Sequence, residues 1–233
     1  MKHNLYRLIV SILLLLASVN LFAGKSYYEI KIFTEIGATS WTYLKNGLEE
    51  ARQKNVDAVF LHLNTYGGLV DYADSMRTAI LNYNKPVYVF IDNNAASAGA
   101  LISIACDSIY MRHGANIGAA TVVNQNGEKM PDKYQSYMRS LMRTTAEARG
   151  YRSDIAEAMV DPDVYVAGIS DSGKVLTFAP SGAIRFNYCE AEVESIQELL
   201  AHAGVKKYTI QEQRYTAIEK FIGFLVSPVV SGI

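Results

Sequence analysis

Val87-Tyr88-Val89-Phe90-Ile91, followed by Asp92-Asn93-Asn94 and then Ala95-Ala96-Ser97-Ala98-Gly99-Ala100, is the stretch on which the fold of this chain turns. Five consecutive apolar residues, β-branched or aromatic, read as a strand buried on both faces. The small residues after them open a helix near Ala96, and a lone serine stands at the turn. A hydroxyl there is uncrowded. The amide of Ala98 falls at a helix N-terminus, where unpaired N–H groups favour a developing negative charge. A nucleophilic serine needs this strand-to-helix setting.

A second turn of the same kind lies about thirty residues upstream. Val59-Phe60-Leu61-His62-Leu63 reads as a buried strand, and Asn64-Thr65-Tyr66-Gly67-Gly68 leads into a helical pattern at Leu69, Met76 and Ile80. Adjacent glycines let backbone approach a ligand closely and aim N–H groups at it. Gly68 and Ala98 are therefore candidate donors of an oxyanion hole around a carbonyl attacked by Ser97. The plainer reading of Gly67-Gly68 is a tight strand-to-helix turn.

Working outward, the pattern predicts strands over 27–33, 58–63, 87–91 and 108–111. It predicts helices over 40–54, with Ser40 as N-cap, over 69–83, and onward from Ala96. Gly114-Ala115-Asn116-Ile117-Gly118-Ala119-Ala120 is an extended small-residue segment, suited to accepting a peptide by strand addition or to packing as an inner strand. A polar loop over 124–129 precedes a long helix from Pro131 to Arg149, a second helix over 154–160, and a strand pair around 164–166 and 175–177. Alternating β and α elements mean right-handed parallel βαβ units, so the fold class is α/β.

The chain has 233 residues, 50% hydrophobic and 19% charged, enough for one sizeable core. A net charge of -1 gives no basic face for nucleic acid. The 16 tyrosines are scattered and suit half-buried packing rather than a stacking platform. His3, His62, His113 and His202 are isolated, so neither metal nor cofactor is expected. Cys106 and Cys189 allow at most one disulfide, and Cys106 reads as a small core residue on the helix after Ser97.

At the N-terminus, a basic start, an apolar run from Leu8 to Ala17 and a small-residue site at Ala23 predict a secretory signal peptide over 1–23, with an uncleaved anchor as the alternative. The folded domain is expected over 24–215. From 216 to 233 an apolar stretch, with Phe221, Phe224 and Leu225, reads as the start of a membrane segment. The domain is thus expected to be exported, on the extracytoplasmic face of the membrane.

Asn64-Thr65-Tyr66-Gly67-Gly68-Leu69-Val70, Ala96-Ser97-Ala98-Gly99-Ala100 and Gly114-Ala115-Asn116-Ile117-Gly118-Ala119-Ala120, in this order and spacing, resemble the NfeD family of membrane-bound serine proteases, within the ClpP/crotonase superfamily. The resemblance implies a spiral of ββα units, Ser97 as nucleophile, and an oxyanion hole from the amides of Gly68 and Ala98. It implies substrate contacts from Gly67, Asn116, Ile117 and Gly118, and at least a dimer. The implied partner is a stomatin-like membrane protein, whose apolar C-terminal segment would be the substrate.

Archaeal relatives pair the serine with a lysine on the helix that here runs from Pro131 to Arg149. Counting back from Gly150 puts Arg143 at that position; a local match around Tyr137 puts Arg139 there. Arginine keeps its proton in proteins and cannot act as the base. Lys129, Lys133, His113 or a partner chain are the other candidates. Two functions follow: a serine endopeptidase, or a non-catalytic scaffold that keeps the peptide groove and organises a stomatin-like partner. Acyl-CoA chemistry on the same fold ranks below both, because export removes the domain from cytoplasmic acyl-CoA.

Overall fold

The computed structural model describes residues 24–214 apart from Ser172. The expected signal peptide over 1–23 and apolar segment over 216–233 lie outside the described residues. In chain order the elements are β1 (Lys25–Ile32), α1 (Ala38–Gln53), β2 (Ala58–Thr65), α2 (Val70–Leu81), β3 (Val87–Ala96), α3 (Ala98–Ile104), β4 (Ser108–Met111), β5 (Asn116–Gly118), α4 (Asp132–Arg149), α5 (Ser153–Ala158), β6 (Thr177–Phe178), α6 (Pro180–Arg185), β7 (Ala191–Glu192), α7 (Ile196–His202) and β8 (Tyr208–Glu212).

The strands form one sheet in the order β6-β5-β3-β2-β1-β8, with β4 pairing β3 and β7 pairing β4. All pairings are parallel except β5 with β6. The central strand β3 forks. Its first half, from Tyr88 to Ile91, pairs with β4, and its second half, from Asn94 to Ala96, pairs with β5. The loop carrying Ser97 therefore leaves the sheet beside the end of β5.

Both faces of the sheet are covered, which is why β2 and the first half of β3 are nearly continuous in apolar residues. On one face Ile30, Leu61, Val89 and Ile91 pack under Leu44, Met76 and Leu101 of the helices. On the other, Tyr27, Phe60, Phe90 and Tyr110 pack against Ile196, Leu199 and Leu200 of α7. Beyond α7 that second face turns polar. Glu29 meets Nδ1 of His62 at 2.9 Å, and Arg112 pairs with Asp92.

Several expectations need correction. Ser40 is not the N-cap of α1; Gly37 is, and Ser40 lies one turn inside. There its Oγ accepts from the Gly37 amide at 2.9 Å and donates toward the Glu35 and Gly37 carbonyls. The segment 164–166 is not a strand, because the Ser170 hydroxyl takes the Val166 amide at 2.8 Å and closes a turn. Thr177–Phe178 pairs instead with β5. β3 runs on through Asp92-Asn93-Asn94, which the sequence suggested as its exit. Cys106 and Cys189 are both free and buried. Burial raises both thiols, Cys189 up to about 12, so neither is a reactive thiolate.

Candidate active site

Ser97 occupies the one residue between β3 and α3, with φ 55° and ψ -118°. A non-glycine residue rarely holds this conformation, and it persists only where surrounding contacts over-determine it. Here the Ser97 amide donates to Gly118 O at 2.9 Å, and Ser97 O accepts from Ala100 N at 2.9 Å. The hydroxyl is left out of both bonds.

Gly67 stands directly beside it. A Cβ at Gly67 would come within 2.6 Å of Ser97 Cβ and 3.1 Å of its Oγ, so only glycine allows this approach. The turn is pinned from below by Thr65, which is buried and whose Oγ1 bonds both the amide and the carbonyl of Gly67. It is pinned from the side by Ile36, which donates to Gly67 O and accepts from Leu69 N, each at 2.8 Å. That bridge passes over Gly68 and leaves its amide unused. The amides of Gly68 and Ala98 donate to no described residue. Two free N–H groups and a free hydroxyl on one cleft are the parts that stabilising a tetrahedral oxyanion requires.

The cleft has a volume of about 550 Å³. Ser97, Ala98 and Gly68 line it with Tyr66, Leu69, Val70 and Ala73 on one side and 119–125 on the other. The second wall is held by backbone bonds from Ala119 N to Leu176 O and from Ala120 N to Met159 O. It is also held by Gln135, whose side chain is only 2% exposed and acts as a surrogate strand. Its Oε1 accepts from Val122 N, and its Nε2 donates to the Val122 and Met130 carbonyls. Gln135→Leu keeps the volume but strips these bonds, so a loss of about 1–3 kcal/mol is expected by urea unfolding. Faster amide exchange over 119–125 should accompany it; unchanged exchange there would show that Gln135 does not hold the wall.

Gly118, Asn116 and Ile117 do not line this cleft. β5 is an inner strand with β3 on one edge and β6 on the other, Ile117 is fully buried, and Asn116 Nδ2 turns back to Gly114 O.

Arg143 and Arg139 lie outside the cleft too. Arg143 pairs with Glu157 at 3.4 Å, and Arg139 pairs with Asp161 and, at 3.3 Å, with Asp132. The reason is helical phase. The inward stripe of α4 is Gln135, Met138, Leu141, Met142, Thr145 and Ala146, and positions 139 and 143 stand roughly 80° and 120° from its centre. The residue of α4 that lines the cleft with Ser97 is Met138, 2% exposed. Sequence reasoning missed it by searching for a charged residue type instead of the face.

The other base candidates are also elsewhere. Lys129 lies on the 123–129 hairpin, Lys133 sits over the Tyr134 ring, and His113 is exposed on Glu192, whose carboxylate raises its pKa. None lines the cleft, where the only titratable side chains among the described residues are Glu35 and Tyr66. Among the described residues no group of His, Cys, Asp or Glu is placed to hold a metal ion.

Known proteins share this architecture. A solved structure named as the 1510-N membrane-bound stomatin-specific protease, in a lysine-to-alanine variant with a substrate peptide, superposes with a TM-score of 0.75 at 21% identity, covering 88% of this chain and 98% of that one. ClpP1 from Listeria monocytogenes superposes at 0.57 with 17% identity, covering 73% of this chain and 94% of that one. The fold is therefore ClpP-like. In sequence, the membrane-bound protease PH1510 of Pyrococcus horikoshii (strain ATCC 700860 / DSM 12428 / JCM 9974 / NBRC 100139 / OT-3) is 25% identical over 248 residues, 96% of this chain and 54% of that protein. The membrane protein NfeD1b of Bacillus subtilis (strain 168) is 30% identical over 207 residues, 88% of this chain and 47% of that protein. The chain spans about half the length of the curated relatives it matches. No helix among the described residues is long and apolar enough to cross a membrane, although both relatives carry membrane in their names. With the NfeD1b N-terminal domain matched over residues 26–213, the chain belongs to the NfeD1b family.

Proposed function

We propose that this domain is a membrane-associated serine endopeptidase of the NfeD type. Ser97 Oγ attacks the carbonyl carbon of an extended apolar peptide while its proton passes to a water in the cleft and from there to the leaving nitrogen, and the amides of Gly68 and Ala98 hold the tetrahedral oxyanion. Collapse of that intermediate expels the amine and leaves an acyl-Ser97 ester, which water hydrolyses. The observation that carries the reading is the strained Ser97 backbone standing beside two unused amides on one cleft. The apolar lining of the cleft suits an extended apolar peptide. The solved relative is named stomatin-specific, which supports a stomatin-like protein as substrate, and we place the cleaved segment at its apolar C-terminus. The same reading has the domain exported behind a signal peptide over 1–23, anchored by a membrane segment from 216, and assembled at least as a dimer.

One observation favours a second reading, a non-catalytic scaffold that binds a stomatin-like partner. The solved 1510-N variants replace a serine and a lysine, and the same number of positions separates Ser97 from Met138 here. A thioether takes no proton from Ser97.

The discriminating experiment uses the full chain and its Ser97→Ala variant with apolar peptides, including a stomatin-like C-terminal segment. The endopeptidase reading expects cleavage in the intact protein and a fall of at least about a hundredfold in the variant. It also expects a fluorophosphonate probe to label Ser97. Peptide binding by both proteins, with neither cleavage nor labelling, would establish the scaffold.

A further inference from the structure

Among the described residues Glu35 is the only charged side chain that lines the Ser97 cleft, and it also lines a second cleft of about 410 Å³ that continues past Gly68. The two clefts share Glu35, Tyr66 and Gly68, and the second adds Phe33, Thr34 and Asn64. Resting on the peptide-binding reading above, we propose that Glu35 is a specificity determinant: it selects a lysine or arginine beside the apolar stretch of the bound peptide, on the Gly68 side of the scissile bond.

Glu35 is exposed, and its carboxylate holds neither hydrogen bond nor ion pair with any described residue. Other carboxylates close to the sheet ends, such as Glu29, Asp92 and Glu192, already have cationic or histidine partners. Glu35 is nevertheless not loosely hung. Its carbonyl accepts from Ser40 Oγ at 3.1 Å, and the next residue, Ile36, is locked on both sides to the Gly67–Leu69 backbone. The backbone that carries Glu35 is therefore fixed beside the Gly68 turn, and a peptide carbonyl seated at the Gly68 amide brings a flanking side chain within reach of its carboxylate.

The flanking aromatic rings suit the same guest. Tyr66 is 81% exposed and Phe33 48% exposed, large apolar surfaces left facing water on either side of the carboxylate. A lysine or arginine buries its methylene stem along such rings while its cationic head reaches an acid, and the ring faces add a cation–π attraction. A purely apolar side chain uses the rings and leaves Glu35 unanswered; an acidic one is repelled.

The test measures binding, so that it stands apart from turnover. Fluorescein-labelled apolar nonapeptides, each carrying lysine, glutamine or glutamate at a scanned flanking position, are titrated by anisotropy against the full chain bearing Ser97→Ala. At the position reaching Glu35, the lysine peptide is expected to bind about fivefold more tightly than the glutamine one at low salt, with the preference fading by about 0.5 M salt. Glu35→Gln should remove the preference, and Glu35→Lys should turn it toward the glutamate peptide. Equal affinity for all three peptides at every position, with Glu35 intact, overturns the inference. This charge preference in the Ser97→Ala chain, together with no cleavage of the same peptides by the unsubstituted chain, sinks the endopeptidase reading and leaves the specificity intact. Failure of every peptide to bind removes both.

Discussion

Replacing Met138 with lysine is expected to raise peptide cleavage by about a hundredfold, the low end of what a positioned general base contributes. Both side chains are unbranched and of similar reach, so the amine enters the space that the thioether now fills on the cleft floor. Met138 is 2% exposed among apolar neighbours, and desolvation there lowers the pKa of an amine because it penalises the charged form. The free base then takes the Ser97 proton. The rate should rise with pH through that lowered pKa and level off above it, since the deprotonated amine is the active form. Arg143→Lys, by contrast, is expected to change little, because that side chain is directed to Glu157. A gain from Arg143→Lys without one from Met138→Lys would overturn the placement of the helix face.

Gly68→Ala should be the most damaging single methyl addition in the domain. The new Cβ would lie 2.2 Å from Ile36 O and 2.7 Å from Ile36 N, both backbone atoms that cannot swing away. At φ +150° the backbone is also one that L side chains rarely adopt. The Ile36 bridge must part, with a loss of about 2–4 kcal/mol expected in urea unfolding. Displacing one oxyanion donor should also lower turnover by at least about a hundredfold, read most clearly in a Met138→Lys background. Gly114→Ala is the control. It too has positive φ, but nothing lies within 4 Å of its Cβ, and it should cost about 1–2 kcal/mol with turnover unchanged. Full activity in Gly68→Ala would reduce Gly67-Gly68 to a plain turn.

The half of the chain before Arg112 was largely legible because β2 and the first half of β3 are nearly continuous in apolar residues and the first helices carry an apolar stripe. Ser108–Met111 coincides with the expected strand, and the strands at 27–33 and 58–63 differ from β1 and β2 only at their ends. The extension of β3 through Asn93 and Asn94 was not legible, since what stabilises it is a ladder with residues more than twenty positions away. From Pro180 onward the elements are two to seven residues long, too short for a period to emerge, and they are held by the sheet and core they reach. At the site, Ser97, Gly67, Gly68 and Ala98 stood out because turn chemistry is local. The facing residue of α4 did not, because a methionine on a buried stripe carries no chemical signature.

Main-chain donors cannot be deleted by exchanging side chains. The amides of Gly68 and Ala98 survive any substitution the turn itself survives, whereas whether a proton acceptor stands opposite them, at the position Met138 holds here, rests on one codon in the middle of a helix. Descent can therefore switch such a domain between cleaving and merely holding its peptide by a single step, in either direction, with the groove preserved throughout. Paralogues of opposite behaviour are to be expected on this frame, and motif matches at the serine alone will not tell them apart.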